Sequence, residues 1–126
     1  MKNASSEAQI RTALDYASGS ADRNGAAFDM QGFEGVMIVV KFAVIAAGAV
    51  TSIKAQQDTD SGFGTAADLA GTAQTIAADD DDQIFVIDIV KPTERYVRLV
   101  VDKDAANATA EMAWYIGYGA HKMPTV

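Results

Sequence analysis

Gln83-Ile84-Phe85-Val86-Ile87-Asp88-Ile89-Val90-Lys91-Pro92-Thr93-Glu94-Arg95-Tyr96-Val97-Arg98-Leu99-Val100-Val101-Asp102 holds two alternating runs around a Lys-Pro break. In the first run Phe85, Ile87 and Ile89 share one side, and Ile84, Val86 and Asp88 share the other. In the second, Val97, Leu99 and Val101 oppose Tyr96, Arg98, Val100 and Asp102. A period of two in β-branched residues specifies strands, because successive Cβ atoms point to opposite faces of a sheet. The first run is apolar on nearly both sides, the pattern of a central strand in a packed sheet. Proline cannot donate to a ladder, so Lys91-Pro92-Thr93-Glu94 is predicted to end the first strand and turn the chain into a hairpin with the second.

The same reading extends in both directions. Asp104-Ala105-Ala106-Asn107 is a further turn cluster, and a second hairpin is predicted to follow it. In the strand after it, Ala110, Met112, Trp114, Ile116 and Tyr118 alternate against Thr109, Glu111, Ala113, Tyr115 and Gly117, and Trp114 with its neighbours is read as core, or otherwise as a buried interface anchor. Upstream, Val36-Met37-Ile38-Val39-Val40-Lys41-Phe42 is apolar on both faces, and Gly35 to Val50 as a whole is read as a buried strand pair. Val50 to Gln57 places Thr51, Ile53 and Ala55 inward and Ser52, Lys54 and Gln56 outward. Ala8 to Tyr16 fits either a strand or a short amphipathic helix, and Ala26–Asp29 and Thr72–Ala77 are short strand candidates. Eight short strands without a long helical pattern predict an all-β antiparallel sandwich, with a jelly roll as the selected topology over an immunoglobulin-like sandwich or a small barrel. Residues 8–120 are expected to form the domain, with 1–7 a flexible N-terminal arm and 121–126 a C-terminal tail.

Composition narrows the function. The 126 residues fit one domain. Of these, 24 are alanine, so large core side chains are scarce and association with a partner is expected. There is no cysteine, which removes thiolate metal sites, disulfides and cysteine nucleophiles. The net charge of −7 has the wrong sign for neutralising phosphates, so nucleic acid is not expected as a partner. Neither is a membrane, because the most apolar stretch is interrupted by Lys41 and Gly48 and falls short of the roughly 20 residues a span needs. No secretory leader is legible in Met1 to Glu7.

No motif carries catalysis. The single histidine, His121, sits in a polar tail, no Gly-x-Ser-x-Gly elbow occurs, and Ser61-Gly62-Phe63-Gly64-Thr65 lacks the lysine of a phosphate loop. Asp79-Asp80-Asp81-Asp82 lacks the alternating ligands and turn glycine of a calcium loop and is read as a solvated acidic tip. No cofactor and no metal are expected, and the chain is read as a non-enzyme. Candidate partner-docking residues are Phe63, isolated among polar residues in the Asp58–Gly71 loop, the locally basic Arg95, Tyr96 and Arg98, and Trp114. Each has an ordinary structural reading: a loop anchored by one aromatic, cross-strand pairing with Asp88, Glu94 or Asp102, and core packing. Ala66 to Ala70 is predicted to form one helical turn within the long loop.

Four phrases in order, Asp29-Met30-Gln31-Gly32-Phe33-Glu34-Gly35-Val36, Val50 to Gln57, Asp68-Leu69-Ala70-Gly71-Thr72 and Lys91 to Arg98, resemble a family of small proteins of tailed bacteriophages taken to be head decoration or cement proteins. The resemblance runs from about Asp29 to the Ala120–Lys122 tail. It implies a jelly roll that associates on the shell, with the major capsid protein as partner, a homo-oligomer such as a dimer or trimer, and a place on the capsid exterior of the virion after synthesis in the bacterial cytoplasm. The alternatives are a head–tail connector or tail component, and a small carbohydrate-binding sandwich using Trp114, Tyr115 or Tyr118.

Overall fold

The computed structural model describes residues 8–19, 21–45, 51–76, 83–103 and 109–119. Ten strands occur among them: β1 (Gln9–Gly19), β2 (Arg23–Asn24), β3 (Phe28–Asp29), β4 (Gly35–Ile45), β5 (Thr51–Asp58), β6 (Ala67–Asp68), β7 (Gln74–Ile76), β8 (Ile84–Val90), β9 (Tyr96–Lys103) and β10 (Thr109–Tyr118). Sheet A has the order β1-β10-β4-β8. Sheet B has the order β2-β9-β5-β6, with β3 also on β9 and β7 also on β5. All pairings are antiparallel.

If β2 and β3 are counted as one interrupted strand and β6 and β7 as another, eight strands remain. Renumbered in chain order, they lie 1-8-3-6 in one sheet and 2-7-4-5 in the other, which is the jelly roll expected from the sequence. The core lies between the sheets. β4 contributes Val36, Ile38, Val40 and Phe42, β9 contributes Val97, Leu99 and Val101, and β5 contributes Ile53 and Ala55, all fully buried. Phe42 meets Phe85 edge-on, and Phe28 packs against Phe33 and Tyr115.

Several expectations are corrected. Neither predicted hairpin forms: β8 pairs with β4, β9 with β5, and β10 with β1 and β4. The first turn carries the chain across the gap of about 10 Å between stacked sheets rather than back along one sheet. β9 and β10, which flank the second turn, lie in opposite sheets, while residues 104–108 lie outside the described residues. At the first crossing Lys91 adopts φ +51° and its N–H donates to Glu34 O. The Gln57 side chain then accepts from the N–H groups of Thr93 and Glu94. Of the predicted Gly35–Val50 strand pair, the described part is the single strand β4, and residues 46–50 lie outside the described residues.

β8 is an edge strand, not a central one, and its second apolar side faces outward. Ala67–Asp68 is a strand on β5 instead of a helical turn. Ala8–Tyr16 resolves as strand, although β1 is broken by register shifts between Thr12 and Leu14 and between Leu14 and Ala17. In β10 the inward residues are Glu111, Ala113, Tyr115 and Gly117, so Trp114 is on the outer face.

Two features tie the sheets together. The Tyr115 hydroxyl donates to Ala26 O at 2.6 Å and accepts from Leu99 N–H at 2.9 Å, inside the sandwich. Burial pushes its pKa well above the usual tyrosine value, more than the Leu99 bond lowers it. A Cβ on Gly25 would stand 2.6 Å from that hydroxyl, so the strand approaches only as glycine. The second tie is ionic. Glu111, with no exposed side-chain surface, meets Lys103 Nζ at 2.6 Å and Arg23 Nη1 at 2.9 Å. The Lys103 side chain is equally buried and also donates to Gly19 O. Arg23 reaches Asp15 O as well, so β1, β2, β9 and β10 are joined at one end of the sandwich.

Candidate functional site

The outer faces of the two sheets differ in chemistry. On sheet A, the register places Ile10, Ile116, Met37 and Asp88 in one row across the strands, and Thr12, Trp114, Val39 and Val86 in the next. Met112, Lys41 and Ile84 form a third row, and Tyr118, Gly35 and Val90 a fourth. The apolar members remain open to solvent at the rim: Ile10 is 65% exposed, Ile84 61%, Val90 56% and Val86 44%. Met37, Val39, Met112, Trp114 and Ile116 are half-buried in the middle. These residues form one contiguous apolar face on an otherwise acidic domain rather than scattered single exposed side chains.

Only two charged side chains interrupt these rows. Lys41 makes no ion pair among the described residues. Asp88 accepts from the Tyr118 hydroxyl at 2.5 Å. Tyr118 lies over Gly35, where a Cβ would meet its ring at 2.5 Å. Desolvation, reinforced by the Asp88 carboxylate, pushes the Tyr118 pKa up to about 12.

Sheet B is polar outside. Lys54 Nζ lies 3.2 Å from Asp68 and 3.7 Å from Asp102. Gln56 donates to Asp68 and accepts twice from Arg98, at 3.1 and 2.8 Å. The Arg98 guanidinium covers the Phe63 ring at 4.5 Å. Phe63 is buried at the tip of its loop with φ +55°. The loop is organised by Asp58, whose carboxylate accepts from Asp60 N–H and from the N–H and hydroxyl of Thr65. Burial opposes the Asp58 charge, but these hydrogen bonds outweigh it and hold the carboxyl below the usual range.

The five docking candidates therefore do not form one surface. Arg98 and Phe63 stack on each other on sheet B, and Arg95 forks onto Asp29 at 3.0 and 2.8 Å while covering the half-buried Tyr96 ring at 5.1 Å. Trp114 stands on sheet A, across the sandwich. The basic strip is largely engaged within the chain, by Asp29 and Gln56 rather than by Asp88, Glu94 or Asp102. Arg95 also borders a cleft of about 430 Å³ with Met30, Phe33 and Pro92.

Sequence reasoning missed the Arg23–Lys103–Glu111 cluster, because Glu111 made its side of β10 look like the solvent face. Among the described residues no group of three or more His, Asp or Glu is placed to hold a metal. No described helix is long and apolar enough to cross a membrane. Asp79–Asp82, His121, the 1–7 arm and the 121–126 tail lie outside the described residues.

A scan of protein-family models finds no match, and a search of curated proteins returns no similar sequence. Among solved structures the whole chain is similar to the PBSX exported protein XepA, with a TM-score of 0.63 and 16% identity, over 41% of that protein. The chain thus spans about two-fifths of that protein's length. Over 90% of its residues it is similar to a chain from the disulfide-linked pili of Bacillus endospore appendages, with a TM-score of 0.53, 15% identity and 88% of that chain covered. At these identities the likeness is one of fold.

Proposed function

We propose that the chain is a non-enzymatic structural subunit of a phage-type particle, docking on a protein lattice as a decoration or cement protein does on the major capsid protein. The observation that carries this reading is the apolar outer face of sheet A, backed by a sandwich whose opposite face is polar and internally paired. Such a domain presents one side for burial and one for solvent. The likeness in fold to a phage-derived exported protein supports the assignment to a phage-type assembly. On a repeating lattice, avidity compensates for a modest single interface, so a small domain suffices.

The likeness to an appendage subunit favours a second reading, a component of a tail or filament. The disulfide linkage named for those pili cannot operate in a chain without cysteine. A sugar-binding module is less favoured, because Tyr115 is core and leaves only Trp114 and Tyr118 for a platform.

Co-sedimentation with empty phage heads separates these readings. Saturable binding in proportion to the major capsid subunit is the expected result, with bound copies reduced by Trp114→Lys. A ring-like count of about a dozen copies supports the tail reading, and no binding overturns the capsid reading.

A further inference from the structure

Strand edges are templates for pairing, and folded proteins blunt them by shortness, bulges or charge. Three of the four edge regions here are managed in this way. β1 is broken by two register shifts. Sheet B is bordered on one side by β2 and β3 and on the other by β6 and β7, none longer than three residues. β8 is different: its seven residues follow β4 in unbroken register, and Ile84, Val86 and Val90 on its outer side are exposed.

Its hydrogen-bonding phase is fixed by two bonds at its ends, Phe42 N–H to Gln83 O and Lys91 N–H to Glu34 O. Residues 83, 85, 87, 89 and 91 therefore turn their backbone groups toward β4. Ile84, Val86, Asp88 and Val90 turn theirs toward the free edge. Among the described residues one hydrogen bond reaches those groups, from Gln74 Nε2 to Val86 O at 2.8 Å, a side-chain guard on the ladder.

We propose that β8 is an assembly edge, pairing antiparallel with β8 of a second copy so that Val86 faces Asp88 of the other chain and Ile84 faces its Val90. The register follows from what the edge offers. Hydrogen-bonded pairs must join residues of the outward-pointing set, which permits shifts only in steps of two. A shift in one direction sets Asp88 against Asp88, like charges directly opposed. A shift in the other sets Ile84 against Asp88 and leaves Val90 unpaired. The proposed register places an apolar pair at each end and keeps the carboxylates apart. It joins two four-stranded sheets into one of eight strands whose outer apolar face is continuous, and it displaces a single side-chain bond, that of Gln74. The pairing does not depend on which particle the domain serves.

The chain's lack of cysteine makes the register directly readable. Val86→Cys and Asp88→Cys proteins, mixed under mild oxidation, are expected to cross-link at least fivefold faster than either alone. In sedimentation equilibrium the parent is expected to approach twice its 13.3 kDa chain mass as concentration rises. Val86→Pro removes an edge donor without touching the β4 ladder, and it is expected to return the mass to that of one chain with an unchanged far-UV spectrum. Gln74→Ala, which unmasks the Val86 carbonyl, is expected to strengthen dimerisation. A parent that stays monomeric overturns the proposal. So does equal cross-linking by either single variant alone, or a dimer that survives Val86→Pro and cross-links through Val39→Cys, which would place the contact on the sheet face. Should Val86→Pro fail to fold, the mixed-cysteine result decides alone.

Discussion

Replacing Glu111 by leucine removes a carboxylate that meets both Lys103 and Arg23. Arg23 keeps 22% of its side-chain surface exposed and can turn to water. Lys103 cannot, because its side chain is fully buried. Removing one partner of a buried ion pair leaves a desolvated charge and costs about 3–5 kcal/mol. That is a large part of the total for a domain whose stability is of order 5–15 kcal/mol. With an m-value of about 1.5 kcal/mol/M, the urea midpoint is expected to fall by about 2–3 M. Urea unfolding followed by far-UV circular dichroism provides the measurement, since both sheets contribute to that signal.

The informative comparison is the double variant Lys103→Met/Glu111→Leu. It removes both charges and keeps the volume, and it is expected to lie within about 1 kcal/mol of the parent, far from the sum of the single losses. A Glu111→Leu loss below about 1 kcal/mol, or a double variant whose loss equals that sum, would refute the account of this cluster as a coupled, desolvated unit.

Other expectations follow from the same geometry. Tyr115→Phe strands Leu99 N–H and Ala26 O and should cost about 1–3 kcal/mol. Gly25→Ala should be destabilising alone and partly rescued by Tyr115→Phe, because the hydroxyl is the nearest obstacle to the new methyl; thermal melts of the four proteins test this cycle. Phe63→Ala empties a buried site beneath Arg98 and should lower stability by about 3 kcal/mol in urea melts, so that any docking defect in this variant is read against its folding. In acid, Asp29, Asp58 and Asp68 all hold folded pKa values below the ordinary 3.8. Their contribution is therefore complete above that value and lost as pH falls through the folded values, which urea midpoints measured from pH 6 down to 2 would reveal. In alkali the sign reverses for Tyr118: its folded pKa of about 12 exceeds the unfolded 10.0, so stability declines as pH rises between them, and Tyr118→Phe should flatten that decline.

The parts of the fold legible in the sequence are the local ones. Alternation in 36–42, 50–57 and 95–102 reports which side chains share a side, and the burial of Val36, Ile53, Val97 and their partners follows it. Alternation says nothing about which strand lies alongside, because pairing is a contact between residues far apart in the chain. Turn chemistry at Lys91–Glu94 and 104–107 suggested hairpins, yet in the jelly roll the strands that flank each of these turns lie in opposite sheets. β10 was misread for a different reason: the side with Met112, Trp114 and Ile116 is the more apolar one and Glu111 marks the other as solvent-facing, yet the Glu111 side is the buried one. Tyr115 lies inside because its hydroxyl finds an acceptor and a donor there, a match that residue hydrophobicity does not encode. Phe63 matches its ordinary reading as the aromatic anchor of a polar loop, but the residue that covers it, Arg98 on β9, lies far away in the chain and local sequence could not name it.

The position of β10 bears on how the molecule is made. It lies between β1 and β4, so the middle of sheet A leaves the ribosome after both of its neighbours. Until then β1 has no neighbour in that sheet, and β4 shows an unpaired flank in addition to the one held by β8. Topologies built from such distant pairings fold slowly, in milliseconds to seconds, because the loop must close before any contact repays it. The nascent chain is therefore most prone to wrong strand partners just before β10 inserts, and dilution or a holding chaperone during synthesis should raise the yield of folded protein more than any change in the finished core.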